Sequence, residues 1–81
     1  MSTTHPDLEK TNRFIVQQFN TKVEKWQSIN DRIFVREYMK PGVPKSEAVK
    51  RAAAEADRQV SGWQSAYPLR EYRAVASESM Y

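Results

Sequence analysis

The chain has 81 residues, 28% of them charged, a formal net charge of +3 and no cysteine. This length allows one small domain, with no disulfide and no cysteine-based metal site to reinforce a small core. No apolar run reaches the length of a membrane span, and the polar start MSTTHPDLEK lacks the apolar block of a signal peptide, so we expect an intracellular (cytoplasmic) protein or part of a particle assembled there.

The first predicted element is one long amphipathic helix over residues 7–39, after a flexible N-terminus at residues 1–6. On a helical wheel, seven of its large apolar side chains fall within a stripe about 120° wide that keeps its phase throughout, and four other large apolar or aromatic residues flank the stripe. Thr21 and Glu24 have the spacing of a capping box, but the unbroken phase favours one helix over two. The stripe consists of Leu8, Ile15, Phe19, Val23, Trp26, Ile29 and Ile33.

A second helix is predicted from residue 44 to 61, or to 66 if Gly62 does not end it. Pro44 suits a first helical turn, where a missing N–H costs nothing. The inner face of this helix starts with alanines, which let a neighbouring helix approach closely. Larger side chains follow on the same face toward its C-terminal end. The short connection PGV favours antiparallel neighbours. The sequence therefore predicts an all-α protein in which residues 7–62 form an antiparallel helical hairpin.

The C-terminal residues 63–81 are predicted to form an aromatic arm, with a short third helix after Pro68 as an alternative. Aromatic and arginine side chains alternate along this arm. Such side chains anchor protein interfaces, where Trp, Tyr and Arg are enriched, and they also stack on single-stranded bases. The arm either folds back onto the long helix or docks on a partner.

No group of residues in the sequence suggests catalysis. His5 is the only histidine, cysteine is absent, and two glycines do not make a phosphate-binding loop. The carboxylates lie beside basic residues, as on an ordinary solvated helix surface. We therefore predict that the protein is not an enzyme and has no cofactor, metal or small-molecule substrate. The mixed signs also argue against binding to a membrane surface.

The leading functional hypothesis is non-catalytic protein–protein interaction, as a small subunit, adaptor or inhibitor within a larger assembly. Viral and phage accessory or structural proteins are often this small. The second helix is too short to cover the whole stripe, and large uncovered apolar patches usually mark interaction sites. Self-association is an alternative way to cover it. The predicted contact residues are Leu8, Ile15, Phe19, Trp63, Tyr67, Arg70, Tyr72 and Arg73.

The alternative hypothesis is a small basic helical nucleic-acid-binding protein. The turn KPGVP followed by a basic helix loosely fits a helix–turn–helix motif. Glu47 and Glu55 lie on the same outward face, where they would approach phosphates or base edges. The basic residues that would bind nucleic acid are Lys45, Lys50, Arg51 and Arg58.

Overall fold

A computed structural model describes residues 10–79 and contains a three-stranded sheet and one α-helix. In chain order the elements are strand β1 (Arg13–Asn20), strand β2 (Lys25–Phe34), a 3₁₀ turn (Val35–Tyr38), helix α1 (Lys45–Ala66) and strand β3 (Tyr72–Ser77).

The sheet has β1 at its centre, with the strand order β2-β1-β3. Both neighbours run antiparallel to β1, so β2 and β3 are parallel to each other, and α1 carries the chain from one sheet edge to the other. Phe14 lies opposite Ile33 on one side and Ala76 on the other. The fold is therefore a mixed α and β arrangement, with a β-hairpin followed by a helix and a returning strand.

The hydrophobic core lies between α1 and one face of this sheet. Val16 of β1 and Val49 of α1 are both fully buried. The buried face of α1 is otherwise made of alanines, whose small side chains let the helix axis approach the sheet closely. The core cluster consists of Phe14, Val16, Ile33, Val35, Ala48, Val49, Ala52 and Ala56.

The predicted long helix over residues 7–39 is wrong, because its described part, from residue 10 onwards, holds β1, β2 and the 3₁₀ turn. The error has a geometric cause in β2. The pairing of β1 with β2 changes register twice, so the β2 residues that face α1 are Gln27, Asn30 and Ile33. Irregularities of this kind insert extra residues into one strand. Trp26 and Ile33, which the helical wheel places in one stripe, lie on opposite faces of the sheet, so the wheel grouped residues that the strands separate.

The Thr21–Glu24 pair belongs to the hairpin turn and not to a helix cap. The turn occupies residues 21–24. The side-chain Oδ1 of Asn20 accepts a hydrogen bond of 2.9 Å from the N–H of Lys22, which starts the turn. Glu24 has a φ of 53°, in the left-handed region, and returns the chain into β2.

The second predicted helix exists and continues through Gly62 to Ala66. Its alanine face is buried as expected, but against a sheet, so the helical hairpin and the all-α class are both wrong. The C-terminal arm contains strand β3 where a third helix was the alternative. Residues 1–6 of the predicted flexible N-terminus lie outside the described residues.

Candidate functional site

The face of the sheet opposite α1 is the principal candidate surface. Phe14 and Val16 point toward α1, so the alternate β1 residues Ile15, Gln17 and Phe19 point the other way. Within residues 10–79, no helix or strand packs against that side. We call it the open face, and by strand register it carries Arg13, Ile15, Gln17, Phe19, Trp26, Ser28, Phe34, Arg73, Val75 and Ser77.

The middle of the open face is apolar and aromatic. Ile15 lies opposite Val75 of β3, and Phe19 lies opposite Trp26 of β2. The Phe19 and Trp26 rings meet edge to face, with centroids 5.3 Å apart and planes at 66°. This is a favoured geometry for an aromatic pair. All four side chains are partly exposed, so each one offers apolar surface to a partner.

Arg73 fixes one end of this aromatic pair. Its guanidinium carbon lies 4.1 Å from the centroid of the Trp26 ring, which is close cation–π contact. Its Nε also donates a hydrogen bond of 2.7 Å to Oε1 of Gln17. The Trp26 and Arg73 side chains are thus already ordered before any partner arrives, which lowers the entropic cost of binding.

The charges around the open face are mainly positive. Arg13 forms an ion pair of 3.6 Å with Asp31, and the Arg36 guanidinium lies 4.7 Å from the centre of the Phe34 ring. Among the described residues, Arg36 and Arg73 form no ion pair. The open face therefore combines an apolar centre with two arginines whose charges no described carboxylate neutralises.

Four of the predicted contact residues form a separate stack, which we call the aromatic ladder. Tyr72 stacks on Trp63 at 5.9 Å, Trp63 stacks on Tyr67 at 5.8 Å, and Arg70 covers Tyr67 at 5.1 Å. The ladder lies on the α1 side of the sheet. Tyr72 is buried, whereas Trp63 and Tyr67 are 40% and 45% exposed. The ladder mainly joins the end of α1 to β3.

The loop between α1 and β3 adds an apolar side chain that sequence reasoning missed. Leu69 is 98% exposed. It lines a groove of about 320 Å³ together with Phe19, Arg70 and residues of the β1–β2 turn. This groove extends the open face beyond Phe19. Trp26 and Val75 were also missed as contact residues, because recognising them requires knowing that both lie in strands beside β1.

The structure brings together only some of the residues proposed from sequence. Ile15, Phe19 and Arg73 share the open face, whereas Leu8 lies outside the described residues. Trp63, Tyr67, Arg70 and Tyr72 form the aromatic ladder.

The basic residues of the nucleic-acid alternative are partly engaged within the protein. Nζ of Lys45 donates a 3.1 Å hydrogen bond to Oδ1 of Asn12. Arg51 pairs with Glu47 and Arg58 pairs with Glu55, each on the same helix. Lys50 is exposed. Three acidic residues also lie among the basic residues of α1, so this surface is mixed in sign.

In the part of the chain that the structure describes, no group of three or more His, Cys, Asp or Glu residues could hold a metal ion. No helix between residues 10 and 79 has the length and apolar character needed to cross a bilayer. Comparisons with protein-family models, with curated proteins and with solved structures gave no match.

Proposed function

We propose that this protein is a non-catalytic protein–protein interaction module, acting as a small subunit, adaptor or inhibitor in a larger assembly, and that it binds its partner through the open face. One observation carries the proposal. Ile15, Val75, Phe19 and Trp26 form a partly exposed apolar centre on a sheet face that no described element covers. Aromatic and arginine side chains at the centre of a patch are the usual anchors of protein interfaces.

The aliphatic residues of the open face favour a protein partner over single-stranded nucleic acid. Nucleic-acid-binding sheets stack bases on aromatic rings, and Ile15 and Val75 offer no ring at the centre of the face. The one well-placed indole, Trp26, already has Arg73 on its ring. On the opposite side of the protein, the arginines of α1 are paired with carboxylates. Apolar complementarity thus fits this surface better than phosphate binding.

The charges of the open face indicate the chemistry of the partner. Arg73 lies at the apolar centre and Arg36 lies beside Phe34. A partner that suits this surface presents an apolar patch with carboxylates at its rim, since complementary charges favour the correct register and speed association.

The test compares three versions of the protein as bait in lysate of its source cells, followed by titration of each retained protein in purified form. The versions are the wild type, Ile15→Lys on the open face, and the double variant Lys50→Glu with Arg51→Glu on α1. We expect a partner that binds the wild type and the double variant with similar affinity and binds Ile15→Lys at least tenfold more weakly, which corresponds to about 1.4 kcal/mol. Far-UV circular dichroism checks that all three are folded.

Two outcomes would overturn the proposal. The first is a partner lost by the α1 double variant and kept by Ile15→Lys, because the interface would then be on α1. The second is binding of a fluorescent single-stranded oligonucleotide that weakens steeply as salt rises and is lost with Ile15→Lys. That result would make the open face a nucleic-acid surface.

A further inference from the structure

The two edge strands of the sheet differ in how well they resist pairing with another strand. β2 lies at one edge, where its register changes twice and its sequence includes Lys25, Asp31 and Arg32. The N–H of Arg32 is also held by Oδ1 of Asn30 at 3.0 Å. Irregular pairing and charged residues are the features by which proteins protect an exposed sheet edge. The β2 edge is therefore protected.

The β3 edge has none of these protections. β3 pairs with β1 in one constant register over its whole length and contains no proline. Its only charged residue is Arg73, whose side chain lies on the open face over Trp26. Towards α1 this strand presents Tyr72 at its start, followed by the small residues Ala74 and Ala76. Small side chains at an edge let another strand approach without a clash.

The backbone of β3 presents a regular set of hydrogen-bonding groups at this edge. The carbonyl of Glu71 accepts a hydrogen bond of 3.0 Å from Phe19 in β1, and the carbonyl of Ser77 accepts one of 2.8 Å from Asn12, the residue before β1. In an antiparallel pair, successive residues point their N–H and C=O groups alternately toward and away from the neighbour. The backbone groups of Tyr72, Ala74 and Ala76 therefore point away from β1.

We propose that β3 pairs antiparallel with β3 of a second copy of this chain, which joins the two sheets into one sheet of six strands. With a two-fold axis at Ala74, this residue lies opposite Ala74 of the second copy, and Tyr72 lies opposite its Ala76. The backbone N–H and C=O groups that point away from β1 then form hydrogen bonds between the two chains. Continued beyond the ends of β3, the same register brings Arg70 toward Glu78 of the second copy, twice by symmetry. These side chains carry opposite charges.

Other registers are less complementary. An axis at Arg73 would place two guanidinium groups directly opposite each other, and like charges across a strand pair are destabilising. An axis at Val75 would place Tyr72 opposite Glu78 of the second copy, so Arg70 would no longer lie near that carboxylate. The dimer also places two open faces side by side. A larger partner, or two partners, could then be bound by one continuous surface.

The experiment uses the absence of native cysteine. In the proposed register the two Ala74 Cα atoms are about 5.5 Å apart, within the range for a disulfide. Ala74→Cys should therefore form a covalent dimer of twice the 9.5 kDa chain mass on mild oxidation. Ser77→Cys is the matched control. Its two Cα atoms would be about 20 Å apart, six residues along a strand pair, so it should not cross-link.

Light scattering of the unmodified protein gives an independent measurement. Over a dilution series from about 1 to about 500 µM, the mass should rise from one chain toward two, as expected for a small interface of micromolar affinity. Ala74→Pro should stay at the mass of one chain with an unchanged circular dichroism spectrum, because the N–H that it removes does not bond to β1. Ile15→Lys should still dimerise, so failure of the open-face proposal would be distinguishable from failure of this one.

Three results would overturn the pairing. A monomer at every concentration, with no more cross-linking of Ala74→Cys than of Ser77→Cys, would remove the dimer altogether. A dimer that Ala74→Pro leaves intact would place the interface elsewhere. Cross-linking of Val75→Cys in place of Ala74→Cys would reject the register, and with it the pairing of Arg70 with Glu78.

Discussion

The two faces of the sheet differ in how far their large apolar side chains are exposed. On the face under α1, Phe14, Val16 and Ile33 are buried beneath the alanines of the helix. On the open face, Phe19 and Trp26 are only partly buried. Burial is what gives an apolar side chain its stabilising effect. The covered face should therefore determine stability, and the open face should determine binding.

The largest expected effect comes from comparing two phenylalanines of β1 that point to opposite faces. Phe14 is 5% exposed, so Phe14→Ala should cost about 3–5 kcal/mol. This approaches the whole stability expected for a domain of this size, roughly 4–12 kcal/mol, so the variant should be largely unfolded. Phe19→Ala on the open face should cost only about 1 kcal/mol, because its side chain is partly exposed to water and loses mainly its ring contact with Trp26. Urea denaturation followed by circular dichroism measures both, and equal losses would contradict the comparison.

The alanine face of α1 should tolerate little extra volume. Ala52 is fully buried against the sheet, so Ala52→Leu should cost about 1–3 kcal/mol by overpacking. Ala54 lies on the exposed side of the same helix, and Ala54→Leu should change stability by less than about 0.5 kcal/mol. Thermal denaturation of the two variants gives the difference. A well-tolerated leucine at position 52 would mean that the helix lies further from the sheet than the structure has it.

Replacing Tyr72 with phenylalanine should raise the stability of the protein, in contrast to the substitutions above. Its hydroxyl is buried and has no hydrogen-bond partner among the described residues. A buried polar group without a partner is destabilising, so Tyr72→Phe should raise the free energy of unfolding by up to about 1 kcal/mol. Tyr67 is 45% exposed, and Tyr67→Phe serves as the control with little expected change. A loss of stability in Tyr72→Phe would show that the hydroxyl has a partner after all.

The smallest expected effect on stability is on the open face. Arg73→Ala removes the cation–π contact with Trp26 and should cost about 0.5–1 kcal/mol. It should also uncover the indole ring. In a Trp63→Phe background, acrylamide should therefore quench the remaining fluorescence more strongly once Arg73 is removed. Arg70→Ala is the matched control, since Arg70 contacts Tyr67 and should leave Trp26 unaffected.

Helix α1 could be predicted from sequence because its pattern and its local signals agree. Alanines recur at a helical spacing, and Pro44 precedes the first turn. What could not be predicted is the surface against which the alanine face packs. A small-residue face fits a helix or a sheet equally well, so the choice depended on the assignment made for the first half of the chain.

The β-hairpin could not be recognised because apolar and polar residues are mixed on both of its faces. In β1, Phe14 and Val16 point to the core while Ile15 and Phe19 point outward, so hydrophobicity does not alternate. In β2, the large apolar residues Trp26 and Ile33 lie on opposite faces. Thr21 and Glu24 indicated a local break, but as a capping box, and the helical phase outweighed it. Ile15, Phe19 and Arg73 were nevertheless chosen as contact residues, and the structure places all three on one face.

The central position of β1 has a consequence for the order in which the chain folds. Its pairing with β2 closes a turn of four residues, whereas the side chain of Asn12 bonds to Glu78 across 66 positions. Contacts between residues far apart in sequence form slowly, because the chain loses conformational entropy in closing the long loop before the contact can stabilise it. The β1–β2 hairpin should therefore form before β3 joins the sheet. In native-state hydrogen exchange, the amides that join β1 to β3 should open at lower free energy than those that join β1 to β2.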